Sequence, residues 1–320
     1  MHSGKFTYEK PWIPQRADPF VTRAGDGSYY FTASLPSFDG IALRHAHTLR
    51  GLPQAEEKLI WKKHETGPMS FNIWAPELHY LFGGWYLYFA GSEKDDIWKL
   101  RPYVLHCTGQ DPMKDPWEEC GQMQCAGEDE FSFRAFSLDA TVFFHAGSWH
   151  YVWAEKVGVG KQISNLYIGR LATATKLATV QELLTTPDYP WERHGFWVNE
   201  GPAVLIRNGK VFLTFSASDT SAAYCMGLLS ADADADLLDP ASWTKKKEPI
   251  LRTIPEKHLF GPGHNSFTTD DEDGSDVCVF HARTSGAASE GDPLFDGARH
   301  AFCLHVAYDG DGFPVLSPDV

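Results

Sequence analysis

The chain has 320 residues and a formal charge of −14, from 28 Lys and Arg against 42 Asp and Glu. That acidic balance disfavours nucleic acid and anionic membrane as partners and suits a neutral substrate. Aromatic residues make up 14% of the chain, too rich for disorder, and 320 residues bury a core without needing disulfides or a metal.

At the N-terminus, MHSGKFTYEKPWIPQRADPF lacks the apolar stretch of a signal peptide. No N-x-[ST] sequon and no run of 18 apolar residues follows. These features fit a cytoplasmic protein or one secreted with its leader removed. Short aromatic or β-branched runs then follow in order: Tyr29–Thr32, Trp85–Phe89, Trp149–Trp153 and Val211–Phe215. Each comes after a turn signal, Asp26-Gly27, Gly83-Gly84, Ala146-Gly147-Ser148 or Asn208-Gly209, so each reads as the second strand of a hairpin. The stretch from Gly91 to Phe136, which holds Trp98 and Trp117 among many charges, reads as a long loop able to wall one end of a cleft. Ala172 to Leu184 reads as strand and loop, Asp232 to Trp243 as a charged surface turn with one helical turn at most, and the tail from Arg299 as two further strands. The acidic run Asp271–Asp276 sits at a hairpin turn and lacks the downstream Glu of a calcium-binding loop. The six cysteines form no CxxC pair and no zinc spacing, and read as small hydrophobes.

A repeat organises these pieces. Five segments begin at Ala17, Ala75, Leu138, Asn199 and Gly263, and each runs polar residue, short strand, Gly-bearing turn, second strand. Their leading polar residues are Asp18, Glu77, Asp139, Glu200 and His264, at spacings of 59, 62, 61 and 64. A unit of that size holds a four-stranded sheet with its loops. Five such sheets around an axis predict an all-β, five-bladed β-propeller, a single domain over residues 1–320, with the leading residues converging on the central channel. Unrelated hairpins in a β-sandwich are the competing arrangement.

Converging acids carry a specific chemistry. Glycoside hydrolysis uses one carboxylate to activate water and one carboxylic acid to protonate the leaving oxygen, and burial beside like charge separates their protonation states. Asp18, Asp139 and Glu200 supply such a set, although each alone reads as an ordinary turn or loop residue and the ring does not say which is acid and which is base. Trp74, just ahead of the second segment, would stand at the channel mouth and line a sugar site. No nucleophile elbow, Walker A loop, dinucleotide fingerprint or HExxH is present.

The phrases Ala17-Asp18-Pro19-Phe20, Trp74-Ala75-Pro76-Glu77-Leu78, Ser137-Leu138-Asp139-Ala140 and Val198-Asn199-Glu200-Gly201-Pro202 resemble glycoside hydrolase family 43. Gly261–Phe267 and His281-Ala282-Arg283 extend the resemblance to nearly the whole chain. With Tyr224–Leu229 and Gly291-Asp292-Pro293-Leu294, the chain is most similar to the exo-acting α-L-arabinofuranosidase branch, which acts on α-1,5-linked arabinan. The resemblance implies a five-bladed propeller and an inverting, single-displacement reaction. Asp18 would be the general base, Glu200 the general acid, and Asp139 the group that raises the pKa of Glu200 and orients it. Inversion asks for base and acid carboxyls roughly 6.5–9.5 Å apart. Asn165 matches a motif that approaches the reacting sugar, and Arg283 and Arg299 are candidates for binding a sugar hydroxyl. Glu77 has none of the three catalytic roles and is an orienting or sugar-binding residue, or a structural one. In similar proteins the histidine at His264 borders a central ion, commonly calcium, held largely through water. Its alternative is a neutral histidine bonded to a catalytic acid or the channel wall. No cofactor is required for the chemistry, and the expected partners are arabinan or arabino-oligosaccharide, with no nucleic acid, no membrane and a monomeric chain. A β-xylosidase or an endo-1,5-α-L-arabinanase would use the same fold, and a non-catalytic sugar-binding propeller would keep the ring without the reaction.

Overall fold

The computed structural model describes residues 6, 10–156, 162–286 and 294–317. Its chain is all-β, with short 3-10 turns as the helical content of the described residues. One four-stranded antiparallel sheet holds β1 (Ala17–Arg23), β2 (Tyr29–Ser34), β3 (Gly40–Ala46) and β4 (Glu57–Lys62). A second holds β5 (Phe71–Leu81), β6 (Gly84–Glu93), β7 (Asp96–Cys107) and β8 (Trp117–Gln122). Next come β9 (Ser137–His145), β10 (Ser148–Glu155), β11 (Gln162–Thr173), β12 (Lys176–Leu177) and β13 (Glu182–Thr185), then β14 (Trp197–Arg207), β15 (Lys210–Ala217), β16 (Cys225–Asp232) and β17 (Thr244–Lys245). A short parallel pairing of β11 with β14 joins these two groups into one sheet. The last sheet is β18 (Phe260–Thr269), β19 (Asp276–Arg283) and β20 (His300–His305), and β21 (Ala307–Tyr308) pairs with β22 (Pro314–Val315) beyond it.

Local sequence explains the hairpins. Phe82-Gly83, Ala146-Gly147 and Asn208-Gly209 are two-residue turns in which both residues have positive φ. That conformation matches the twist of the flanking strands and fixes their register. Apolar residues then fill the space between successive sheets. Ile41 and Leu43 pack with Leu78 and Leu87; Tyr88 and Val104 with Tyr151 and Trp153; Val152 and Ile168 with Leu213 and Phe215; Phe212 and Leu228 with Phe280 and Phe302. A fifth cluster sets Val277 and Val279 of β19 against Tyr29 and Phe31 of β2, so the last sheet packs on the first. The opening strands β1, β5, β9, β14 and β18 touch one another in the same cyclic order, with β18 returning to β1. Strands covered on both faces read as continuous apolar runs, which is why these hairpins are so rich in Val, Phe, Trp and Tyr.

The stretch from Gly91 to Phe136 is not a loop. It contains β7, with one edge bonded to β6, and β8, whose residues are mostly half-buried or exposed. An outer strand carries charge on its solvent side, and that charge hid the strand pattern. Trp117 belongs to β8 and donates from Nε1 to the Pro112 carbonyl at 3.1 Å, whereas Trp98 of β7 reaches the cavity described below. The tail from Arg299 forms β20, which completes a sheet, plus the small β21–β22 pair. Ala301 also bridges to Ile13 near the N-terminus. Among the described residues no helix is long and apolar enough to cross a membrane. Residues 1–5 and 7–9 of the N-terminal stretch, and the Gly291-Asp292-Pro293 part of the quoted motif, lie outside the described residues.

Candidate active site

Every opening strand turns through the left-handed region at an equivalent place: Asp18 (φ 53°) in β1, Ala75 (47°) in β5, Asp139 (52°) in β9, Gly201 (52°) in β14 and His264 (45°) in β18, with further left-handed residues at Asn72 in β5 and Gly261 in β18. Ladder pairing is interrupted there in all five. For a residue with a Cβ this conformation costs roughly 1–2 kcal/mol, and such strain persists only where the surroundings hold it. Three of these five positions thus carry a candidate site residue. Glu77 lies two residues past its kink, and Glu200 one residue before.

The kinks bring Asp18, Asp139, Glu200 and His264 to a cavity of about 590 Å³, which Trp74, Trp98, Phe196 and Arg299 also line. Trp98 and Phe196 are about half exposed, at 51% and 54%, while the three acids are close to fully covered or half-buried at the floor. Asp18 Oδ1 lies 3.2 Å from His281 Nδ1, 3.3 Å from His264 Nδ1 and 3.5 Å from Arg299 Nη1. Ser34 Oγ donates to the other oxygen, Oδ2, at 2.6 Å. Burial alone would raise the Asp18 pKa. His264, Arg299 and His281 together outweigh it and hold the carboxyl well below the usual range, so Asp18 stays ionised.

The other two acids go the opposite way. Burial, then repulsion from Glu200 and from Asp18, pushes Asp139 well up. Burial also raises Glu200; the Tyr224 hydroxyl, donating to Oε1 at 2.7 Å, pulls it back, Asp18 raises it further, and it settles at about 7. Asp139 Oδ2 accepts the Gly201 N–H at 3.2 Å, which ties it to the backbone beside Glu200. Asp139 and Glu200 therefore titrate as a pair that keeps a proton to near neutrality, opposite an ionised Asp18. That is the split in protonation a general base and a general acid need at one pH.

The remaining sequence-derived candidates divide. Trp74 lines the cavity, and its buried Nε1 has no hydrogen-bond partner among the described residues, as does Nε of Arg299. Both are buried donors on side chains that line the cavity. Glu77 is buried off the cavity, with Oε2 2.7 Å from His79 Nε2, though its charge reaches Asp139 and His264. Asn165 is buried in β11 opposite Glu155 and does not line the cavity. Arg283 is also off it: Nε contacts Asp296 Oδ2 at 3.1 Å, and Nη1 bonds the carbonyl of Thr220, a residue of the cavity wall. His264 turns Nδ1 toward Asp18 and toward Asp139 Oδ2 at 3.7 Å, and burial lowers its pKa, so it is a neutral ring beside two carboxyls.

Calcium is bound by several oxygens at once. Among the described residues the only His, Cys, Asp or Glu trio at mutual ligand spacing is Asp270, Asp273 and His305, far from this ring, and there the Arg50 guanidinium already engages both oxygens of Asp270. The side chains around His264 do not form a direct calcium ligand set.

Sequence reasoning did not assign Tyr224, His281, Ser34, Phe196, Lys156 or Asp219, which hold the acids or line the cavity. Tyr224 and His281 stood inside quoted motifs without a role. The others carry no local signal, since only the packing of distant strands brings them here.

Residues 8–314 match the family model described as glycosyl hydrolases family 43. The chain is 43% identical over 312 residues, 98% of its length, to an extracellular exo-α-(1→5)-L-arabinofuranosidase of Streptomyces avermitilis. It is 45% identical over 276 residues to a protein of the same description from Streptomyces chartreusis, covering 86% of this chain and 82% of that one. It spans only 63% of the length of the S. avermitilis relative. The crystal structure of an α-L-arabinofuranosidase from Lactobacillus brevis superposes with a TM-score of 0.90 at 44% identity, covering 97% of this chain and 96% of that one.

Proposed function

The chain belongs to glycosyl hydrolases family 43, and on that premise we propose that it is an exo-acting α-L-arabinofuranosidase that releases L-arabinofuranose from α-1,5-linked arabinan or arabino-oligosaccharides with inversion. The observation that carries this reading is the opposed protonation of Asp18 and the Asp139–Glu200 pair in one cavity. The exo preference and the linkage rest on what the Streptomyces relatives are described as doing. The same reading includes a single domain folded as a five-bladed β-propeller. Five interlocked apolar clusters and the cyclic contact of the opening strands support it.

In this mechanism a water molecule attacks the anomeric carbon as Asp18 takes its proton. The bond to the glycosidic oxygen breaks, and Glu200 gives that oxygen a proton. Asp139, bonded to the Gly201 N–H, keeps Glu200 protonated and fixed. Trp74 and Arg299 line the cavity in which the sugar would sit. An ion beside His264 would be held mainly through water, and no step passes through it.

The test is a panel of arabinofuranosyl and xylosyl nitrophenyl glycosides with linear arabinan, the first-formed anomer read by NMR. Arabinofuranosides are expected to be cleaved with inversion and arabinan shortened one sugar at a time. Cleavage of xylosides alone, release of internal fragments or retention of configuration would each replace this reading. The pH profile follows from the same groups. Glu200 must be protonated, so kcat/KM is expected to fall as pH rises through about 7. Asp18 remains ionised far into acid, so no acidic limb from the base is expected while the fold survives.

A further inference from the structure

Tyr224 links the acid side of the arrangement to the base side through two contacts. Its hydroxyl donates to Glu200 Oε1 at 2.7 Å. Its ring lies flat on His281, with centroids 5.4 Å apart and planes 8° from parallel, and His281 Nδ1 sits 3.2 Å from Asp18 Oδ1. The ring is 1% exposed and has no room to swing. A Cβ on Gly263 would come within 2.3 Å of Tyr224 Cε1, so the glycine admits the ring from the β18 side. A buried tyrosine hydroxyl spent on one oxygen of a carboxylic acid leaves the other oxygen to carry the proton.

We propose that Tyr224 is a positioning residue that selects which oxygen of Glu200 delivers the proton, holding Oε1 as acceptor so that Oε2 faces the leaving group. The proposal rests on the glycosidase reading above. In the step, the glycosidic C–O bond breaks, the electron pair goes to the leaving oxygen, and the proton on Oε2 joins it. Glu200 becomes a carboxylate whose Oε1 already has a donor, so Tyr224 supports the charge as it forms. The other groups facing Glu200 are Asp139 on β9, Asp18 on β1, Arg299 ahead of β20, and His264 and His281 on β18 and β19. Of these, Asp18 and Arg299 act on its proton from opposite sides.

The test is Tyr224→Phe in the full chain, assayed on arabinotriose and on nitrophenyl arabinofuranoside. Removing one hydrogen bond to a developing charge is expected to lower kcat on arabinotriose by about 10- to 100-fold. Nitrophenol leaves without a proton, so its release is expected to change by less than about threefold. The alkaline limb is expected to move upward, because the lost bond favoured the carboxylate. Should Tyr224→Phe not fold, 3-fluorotyrosine placed at 224 keeps the ring's shape and makes its hydroxyl a stronger donor, so the alkaline limb is expected to move downward, and an unmoved limb overturns the proposal. Equal losses on both substrates with an unmoved limb, in a folded variant, overturn the proposal. If the parent chain cleaves neither substrate, the glycosidase reading itself is overturned.

Discussion

Glu200→Gln is expected to lower turnover on arabino-oligosaccharides by about 10²- to 10⁴-fold, the range a positioned general acid supplies. Glutamine keeps the shape and can still accept from Tyr224, so the loss reports the proton rather than the packing. Nitrophenyl arabinofuranoside, whose leaving group needs no proton, is expected to recover most of the rate. The same change is expected to stabilise the protein in alkali. Glu200 has a raised pKa in the folded chain, about 7 against about 4.3 when exposed. Its neutral form contributes stability that is fully present below the exposed value and is lost as pH rises through the folded one. The penalty avoided by glutamine is about 4 kcal/mol at most. Melting curves are expected to coincide near pH 4, to separate progressively as pH rises and to be fully apart above pH 7, with the variant higher. A variant that melts lower at every pH would show that the ionised form of Glu200, not the neutral one, is native.

Asp18→Asn is expected to cost at least as much turnover, on both oligosaccharide and nitrophenyl substrates, because water attack is common to them. Azide, an anion that attacks without a base, is expected to restore part of the rate. Asparagine tolerates the left-handed backbone that Asp18 adopts, so the kink in β1 survives. What does not survive is the charge that answers Arg299, and breaking a buried pair of this kind costs about 3–5 kcal/mol. The folded pKa of Asp18 is depressed, so the stability it contributes is present above the exposed carboxyl value and fades as pH falls. The variant's deficit in melting temperature is therefore expected at neutral pH and to shrink in acid. Asp18 also raises Glu200; without its charge the alkaline limb is expected to shift to lower pH. That shift, read from residual activity, shows that the two carboxyls share one field.

The hairpins and their apolar faces were legible because two-residue turns need positive φ and strands covered on both sides need apolar runs. Asp18, Asp139 and His264 were found at their kinks because chemistry and backbone coincide there. In β5 and β14 they part company. The left-handed residues are Ala75 and Gly201, which carry no functional group, and matching by polarity slid the comparison to Glu77 and Glu200. The slip of two in β5 leaves Glu77 buried and off the cavity. Strands β7 and β8 escaped notice because outer strands are judged by a solvent face rather than by a core. Tyr224 and His281 could not be given roles from spacing, since stacking of one on the other joins the residue ahead of β16 to β19 across the interior.

The left-handed kinks at Asp18, Asp139 and His264 also bear on engineering. Backbone comfort alone would nominate glycine at all three positions, and removing a buried carboxyl from Asp139 would add to the gain. A thermostabilising library screened only on heat resistance is therefore drawn to Asp139, whose buried carboxyl is a burden to the fold, and survivors hotter than the parent but inert should accumulate changes at 139, while the charge of Asp18, which answers Arg299, keeps that position in place.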